Sequence, residues 1–322
     1  MLNSYLAAPM SSRIAIIDMG TNTFHLLLAE AERSNYRITH RDRLAVKIGQ
    51  GGINQGVITE DGLHRALVAM QSFKNTIDEH GITKVFAFGT SALRNAANKT
   101  YVTRRIHEVT GIQINVISGD LEADYIYEGV KAALGLEDER SLIIDIGGGS
   151  IEFIIGNARQ IFWKQSLEIG AQRLLERFHK HDPILPGEIF TLDDYFAEQL
   201  TPVFEALRQF PCDIMVGSSG TFDTLSDIFC VEHHITKSPE ETETPLTIEG
   251  FYSIYQQLIH KNREQRMAIP GMIEMRVDMI VVACCLIRYL LEHHEFRRIR
   301  VSTYSLKEGV LSALISGKLK SE

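Results

Sequence analysis

Two stretches of this chain can be laid over one another without a gap. In the first, Ile14-Ala15-Ile16-Ile17 runs into Asp18, then Gly20-Thr21-Asn22-Thr23, then Phe24 to Ala29. In the second, Leu142-Ile143-Ile144 runs into Asp145, then Gly147-Gly148-Gly149-Ser150, then Phe153-Ile154-Ile155. An offset of 127 residues puts Asp18 on Asp145, Gly20 on Gly147, His25 on Glu152, and Thr23 on Ser150. An apolar run that ends on Asp, turns through Gly and hydroxyl residues and becomes apolar again reads as strand, tight turn, strand. Its repetition in register reads as an internal duplication. The expected architecture is two similar lobes with a cleft between them.

The chemistry follows from the turns. Gly-, Ser- and Thr-rich turns expose successive backbone N–H groups, which bind phosphate oxygens without a side-chain charge. Asp18 and Asp145 at the strand ends suit a hydrated Mg²⁺ beside such a phosphate. Glu152 is read as a supporting metal ligand or an edge charge. Two more loops, Gly217-Ser218-Ser219-Gly220-Thr221 and Gly89-Thr90-Ser91, lie between a strand and a helix, where a helix N-terminus favours an anion. Arg94, one turn into its helix, can reach an anion in the cleft. Spacing alone leaves Glu122, Asp124 and Glu128 as alternatives for a general base, and Glu122 also has the ordinary role of an acid in a helix's first turn.

Composition sets the remaining bounds. Hydrophobic residues at 44% and charged residues at 23% are globular proportions. The net charge of −8 disfavours nucleic acid and anionic membrane, and the basic run Phe296-Arg297-Arg298-Ile299-Arg300 is too short to reverse that. Cys212, Cys230, Cys284 and Cys285 form no CxxC pair, so a disulfide framework or structural zinc is not expected. The N-terminal residues 1–13 lack the pattern of a secretory leader. Met279 to Leu291 is too short and too interrupted to span a bilayer. The expected setting is the cytoplasm.

Periodicity places helices at Thr59 to His80, from Ser91, and from Asp120 as N-cap to about Leu134. Further helices are expected at Phe251 to Met267, Glu274 to Glu292 and Leu306 to Ile315. Strands are expected at Lys84 to Phe88, Ile112 to Ile117, Ile214 to Val216 and Ile299 to Val301. The glycine-rich loop Ile48 to Gly56 is expected to be exposed, and Val231 to Gly250 to be a mobile surface loop.

With these residues in hand, the chain resembles the Ppx/GppA phosphatases, which are exopolyphosphatases and guanosine pentaphosphate phosphatases. The matching stretches are IDMGTNTFHLLLAE (17–30), FGTSALRNAAN (88–98), VISGDLEADYIYEGV (116–130), IIDIGGGSIEFIIG (143–156), SLEIGAQRLLERF (166–178), GSSGTFDTLSDI (217–228) and SLKEGVL (305–311). They cover nearly the whole chain in order. The resemblance implies an α/β, duplicated ribonuclease H-like fold of the actin, sugar-kinase and heat-shock ATPase superfamily. Residues 1–120 with 304–322 would form one lobe and 121–303 the other, with the last helix packed back on the first lobe. It implies Glu122 as the catalytic base for water, and Asp145, Gly147 and Glu152 as a phosphate and magnesium motif with Asp18. It also implies a second phosphate loop at Gly20 to Thr23, and Arg94 as a phosphate contact.

The expected reaction is Mg²⁺-assisted release of terminal orthophosphate from polyphosphate or guanosine pentaphosphate. Relatives are often dimers, which implies the same here. This chain has Leu121-Glu122-Ala123-Asp124 where relatives carry Glu-Glu-Ala-Arg, which removes positive charge near the site. It has Ser150-Ile151-Glu152 where they carry Ser-Thr-Glu. Longer relatives add a helical region for extended polyphosphate, so the resemblance is to a short form acting on alarmones or short chains. A small-molecule kinase of the same superfamily and a non-catalytic alarmone sensor are the competing readings.

Overall fold

The computed structural model describes residues 12–32, 35–238 and 240–319. The N-terminal reading made above falls on residues that mostly lie outside these. The first sheet holds β1 (Ser12–Met19), β2 (Thr23–Glu32), β3 (Asn35–Ala45), β4 (Lys84–Gly89) and β5 (Ile114–Val116), in the order β3-β2-β1-β4-β5. The second holds β6 (Ser141–Ile146), β7 (Ile151–Gly156), β8 (Ile161–Leu167), β9 (Ile214–Ser218), β10 (Glu243–Thr244) and β11 (Arg298–Ser302), in the order β10-β11-β9-β6-β7-β8. Apart from the short edge strand β10, the two orders are the same. In each, an antiparallel meander of three strands continues into two parallel ones. This is a duplicated ribonuclease H-like α/β fold, and the repeated turns mark its two origins.

The central strands β1 and β6 carry the apolar runs Ile14–Ile17 and Leu142–Ile144 because each sheet is covered on both faces there. Along β1, Ala15, Ile17 and Met19 join a core with Met70, Phe73 and Ile106 from the helices Glu60–Glu79 and Lys99–Thr110. Ile14 and Ile16 point the other way, into a core shared with Ile143, Ile154 and Val216 of the second sheet. Two helices, Gly119–Leu134 and Leu306–Ile315, supply much of that shared layer. They cross at their glycines. A Cβ on Gly309 would lie 1.7 Å from the Tyr125 carbonyl oxygen, and one on Gly129 would lie 2.2 Å from that of Ser305. Only bare Cα atoms permit this approach, which fixes where the helix carrying Glu122 sits between the lobes.

Several expectations need correction. The helix N-cap is Ser118, whose hydroxyl accepts from the Leu121 N–H, and Asp120 lies inside the first turn. Residues 251–267 divide into Ile248–His260 and Arg263–Met267, because Asn262 and Gln265 form a capping box that starts a new helix. The helix expected from Glu274 begins at Ile280, since residues 274–279 form turns. The segment 231–250 is not simply a surface loop: it carries β10, paired to β11. The loop 48–56 is exposed at Gln50, Gly51, Asn54 and Gln55 but packed at Ile48, Gly49, Gly52 and Ile53. Gly49 donates its N–H to the Thr21 carbonyl (3.1 Å), and Lys47 to that of Asn22 (2.8 Å). This loop therefore braces the first turn. Glu176 of the second lobe grips it through the Gly51 N–H (3.1 Å) and the Asn54 amide (3.0 Å). Strands β3 and β8 escaped the sequence reading because β3 is an edge of polar residues and β8 is only half-buried along its length.

Candidate active site

The two duplicated turns face each other across the cleft. They have the same close geometry: a Cβ on Gly20 would lie 3.0 Å from the Thr23 carbonyl oxygen, and one on Gly147 2.9 Å from that of Ser150. Gly148 packs on Asn22, and Gly149 on Thr21 and Ser91. The cavity between them is lined by Gly20 to Thr23, Gly147 to Ser150, Asp18, Asp145, Glu122 and Ser219, among others. The structure thus gathers residues from seven separate parts of the sequence. Asn22 Oδ1 and Thr23 Oγ1 are buried there without a hydrogen-bond partner among the described residues.

The acidic groups are crowded and poorly hydrated. Burial pushes the Asp18 carboxyl up to about 7, helped by Asp145 and opposed by Lys307. Burial likewise lifts Asp145 to about 6, against hydrogen bonds from Ser218 and Ser219. Glu152 stands opposite Asp145 in the β6–β7 register, as His25 stands opposite Asp18 in β1–β2. Burial and then the Asp145 charge raise Glu152 to about 7. Its Oε1 accepts from Ser166 Oγ at 2.7 Å, and it stands behind the cavity wall. Glu122, 7% exposed, is raised well above the usual glutamate range by burial and then by Glu152, and is partly offset by Arg94.

Arg94 also stands behind the wall, with its guanidinium committed to protein groups. Nη1 donates to Glu122 Oε2 (2.7 Å) and to the Ile117 carbonyl (3.2 Å), and Nη2 to Glu168 Oε1 (3.0 Å). Its observed work is to hold carboxylates. Asp124, at the position where the resemblance leads one to expect an arginine, has its charge answered by Lys164 of β8 at 2.6 Å. Ile151 belongs to the apolar core of the second lobe.

Of the loop 217–221, Ser219 lines the cavity. Ser218 Oγ donates to Asp145 Oδ2 at 3.1 Å. Gly217 lies under the Phe222 ring, Gly220 lies against the Arg276 guanidinium, and Thr221 is buried. Ser219 has φ of 71°, a left-handed backbone that costs energy outside glycine.

The sequence reading missed Arg276, His25, Ser305 and Leu306, which line the cavity, and Lys307 and Glu168 beside it. Arg276 Nε is buried without a hydrogen-bond partner among the described residues. A buried guanidinium in that condition fits an anionic ligand. Its sequence neighbourhood gives no signal, since it stands in a turn of unremarkable composition. The SLKEGVL stretch held Ser305 to Lys307 in plain view, with no local pattern to say what it faces.

A model of the Ppx/GppA phosphatase family matches residues 27–317. The chain belongs to this family. The solved structure of an exopolyphosphatase from Cytophaga hutchinsonii superposes with a TM-score of 0.92 at 44% identity, over 95% of this chain and 98% of that one. The Ppx/GppA family member of Aquifex aeolicus gives a TM-score of 0.79 at 25% identity, over 97% of this chain and all of that one. The guanosine-5'-triphosphate,3'-diphosphate pyrophosphatase of Pseudoalteromonas translucida is 26% identical over 307 residues, which is 95% of this chain. This chain spans 60% of that relative's length. These Ppx/GppA relatives are named as hydrolases, and no described helix here is long and apolar enough to cross a membrane.

Proposed function

We propose that this chain is a phosphohydrolase that releases terminal orthophosphate from short inorganic polyphosphate or from guanosine pentaphosphate. The observation that carries the reading is Glu122. It is a buried carboxylate of raised pKa, tethered by Arg94, on the wall of a cavity made by two glycine turns.

In this reading the turns 20–23 and 147–150 hold the terminal phosphate through backbone N–H groups and hydroxyls, and Arg276 supplies positive charge. Glu122 takes the proton of a water whose oxygen attacks the terminal phosphorus in line. The bond from phosphorus to the bridging oxygen breaks, and the shortened leaving group departs with that electron pair. Burial and Glu152 make Glu122 a stronger base than an exposed glutamate, which suits proton removal near neutral pH.

The donor set fits Mg²⁺. Asp18 and Asp145 present hard carboxylate oxygens to the cavity, and burial, which raises both pKa values, leaves their ionised forms short of the hydration that a bound cation would replace. No group of three His, Cys, Asp or Glu among the described residues could hold a metal by itself. Mg²⁺ is commonly bound by one or two carboxylates, with water and substrate phosphate completing its shell. Asp18 and Asp145 would hold it, with Glu152 supporting Asp145 from behind. Bound there, it would neutralise phosphate charge.

A second cleft lies beyond Tyr304 and is lined by Tyr36, Arg41, Arg43, Asp223 and Lys237, together with Glu240 and Glu241. Mixed charge with two aromatic rings suits the nucleoside end of a nucleotide leaving group, or a short chain, better than a long polyanion. The test is Mg²⁺-dependent phosphate release from guanosine pentaphosphate and from polyphosphates of graded length, with Glu122→Gln as control. Binding without release from every substrate would overturn the hydrolase reading and favour a sensor.

A further inference from the structure

Glu168 is a carboxylate that the proposed chemistry does not use, although it lies in the SLEIGAQRLLERF stretch and reaches the site. Its backbone belongs to the second lobe. The residues after it are stitched to the second turn: the N–H groups of Gly170, Ala171 and Gln172 donate to the carbonyls of Gly149 (3.2 Å), Gly147 (2.9 Å) and Gly148 (2.8 Å). Its side chain crosses to the first lobe. Oε2 accepts from Ser91 Oγ at 2.5 Å and Oε1 from Arg94 Nη2 at 3.0 Å. Arg173, which also donates to the Gly149 carbonyl (2.8 Å) and to that of Ile53 in the first lobe (2.9 Å), holds Glu168 Oε2 at 3.2 Å.

The contacts form one chain of charge-assisted hydrogen bonds: Ile53, Arg173, Glu168, Arg94, Glu122. Such bonds are short and directional, so each member limits the freedom of the next. The first-lobe contacts of Glu168 exist only while the lobes are together. With the Glu168 carboxylate removed, Arg94 Nη1 keeps the Ile117 carbonyl and Glu122, and Nη2 is left with the Ser150 hydroxyl at 3.4 Å. We propose that Glu168 is a positioning residue. Its docking on Ser91 and Arg94 at lobe closure fixes Arg94, and through it the orientation of Glu122, so the hydrolytic base is assembled only in the closed enzyme. The proposal rests on the reading of Glu122 as the base.

The test uses the full chain with Glu168→Ala and Glu168→Gln, assayed with guanosine pentaphosphate and tripolyphosphate. Glutamine keeps one acceptor oxygen, which can take the Arg94 hydrogen bond while its NH2 donates to the Ser91 hydroxyl oxygen. A mispositioned group typically costs up to about 100-fold, so Glu168→Ala is expected to lower kcat by about 10- to 100-fold. Its KM should stay within about threefold, and Glu168→Gln should recover most of kcat. Wild-type kcat in a folded Glu168→Ala variant overturns the proposal, as does a rise in KM alone in both variants.

A second arm reads closure directly. Spin labels go on Val109→Cys and Glu198→Cys, both exposed positions on opposite lobes, while the four native cysteines are buried. With Mg²⁺ and tripolyphosphate, the wild type should give one short distance and the Glu168 variants a broader, longer distribution. Identical distributions overturn the proposal. This arm stands even if the wild type releases no phosphate, an outcome that would count against the hydrolase reading alone. If Glu168→Ala does not fold, Glu168→Gln carries both arms: it must show the broadened distances with a smaller loss of kcat, and wild-type behaviour in both overturns the proposal.

Discussion

Gly149 and Thr21 meet across the interlobe cleft so closely that a Cβ on the glycine would lie 2.5 Å from the threonine hydroxyl oxygen, and 2.4 Å from that of Ser91. The two residues come from the two copies of the duplicated turn. Their contact is where the lobes touch at the cavity between the turns.

Gly149→Ala should therefore fold and yet fail to close. The added methyl meets movable hydroxyl groups, so the molecule can relieve it by separating the lobes slightly. We expect near-wild-type thermal stability with an increase in KM of about tenfold, equivalent to about 1.4 kcal/mol of binding. Steady-state kinetics beside a melting curve checks this. An unchanged KM would show that the turns need not touch during binding.

Glu122→Gln removes the proton acceptor but keeps the size of the side chain. The expected loss in kcat is about 10²- to 10⁴-fold, measured as phosphate release with KM little changed.

Arg94→Lys keeps the charge but loses the forked geometry that reaches Glu122 and Glu168 together. Arg94→Ala leaves Glu122 without its ion-pair partner in a buried place, an event that costs about 3–5 kcal/mol in comparable sites. Chemical denaturation should therefore rank wild type above Lys and Lys above Ala, with activity low in both variants. Equal stability of Lys and Ala would mean that the ion pair contributes nothing.

Asp18, Asp145 and Glu152 have folded-state pKa values of about 7, about 6 and about 7, raised chiefly by burial. In the unfolded chain they titrate near 4, so between these values the folded state holds more protons. Without divalent cation, the stability they contribute is present in full below about pH 4 and is lost as pH rises toward about 7. Mg²⁺ should restore stability near pH 7.5, because it binds the ionised carboxylates of the folded state. Melting temperatures from pH 5 to 8, with and without Mg²⁺, test both statements. A melting temperature that climbs with pH in metal-free buffer would contradict the first.

Gly309→Ala should destabilise by about 1–3 kcal/mol or more, as overpacking does. The clash is with the Tyr125 carbonyl, which cannot rotate away. Because that carbonyl belongs to the helix carrying Glu122, activity should fall before the chain unfolds. Activity and circular dichroism followed on one heating ramp would separate the two losses.

Much of this was legible from residue order. The duplicated Asp–Gly–hydroxyl turns gave the two lobes and the location of the cavity, because strand–turn–strand chemistry is local and reads the same in both copies. The helix Glu60–Glu79 was legible from its periodicity, from Asp61 near its start and from Gly81 after its end, and the structure adds Thr59 as its N-cap. Strand β3 was not, since its inward alternation of Tyr36, Ile38 and Leu44 is interrupted by His40 and Asp42 and leaves a weak hydrophobic signal.

Arg94 shows where local reading stops. From sequence it is a cation near a phosphate loop. Its partners, Glu122 and Glu168, lie 28 and 74 residues away along the chain. The same holds for Arg276, brought to the cavity from a turn more than a hundred residues beyond Gly149. Sequence by itself determined most of the elements, the duplication and the two glycine turns, all of which rest on neighbours along the chain. Tertiary structure alone decided which charges answer one another. Closing the lobes brings groups from distant segments into a place with little water, where a few ångströms of separation set both pKa and partner.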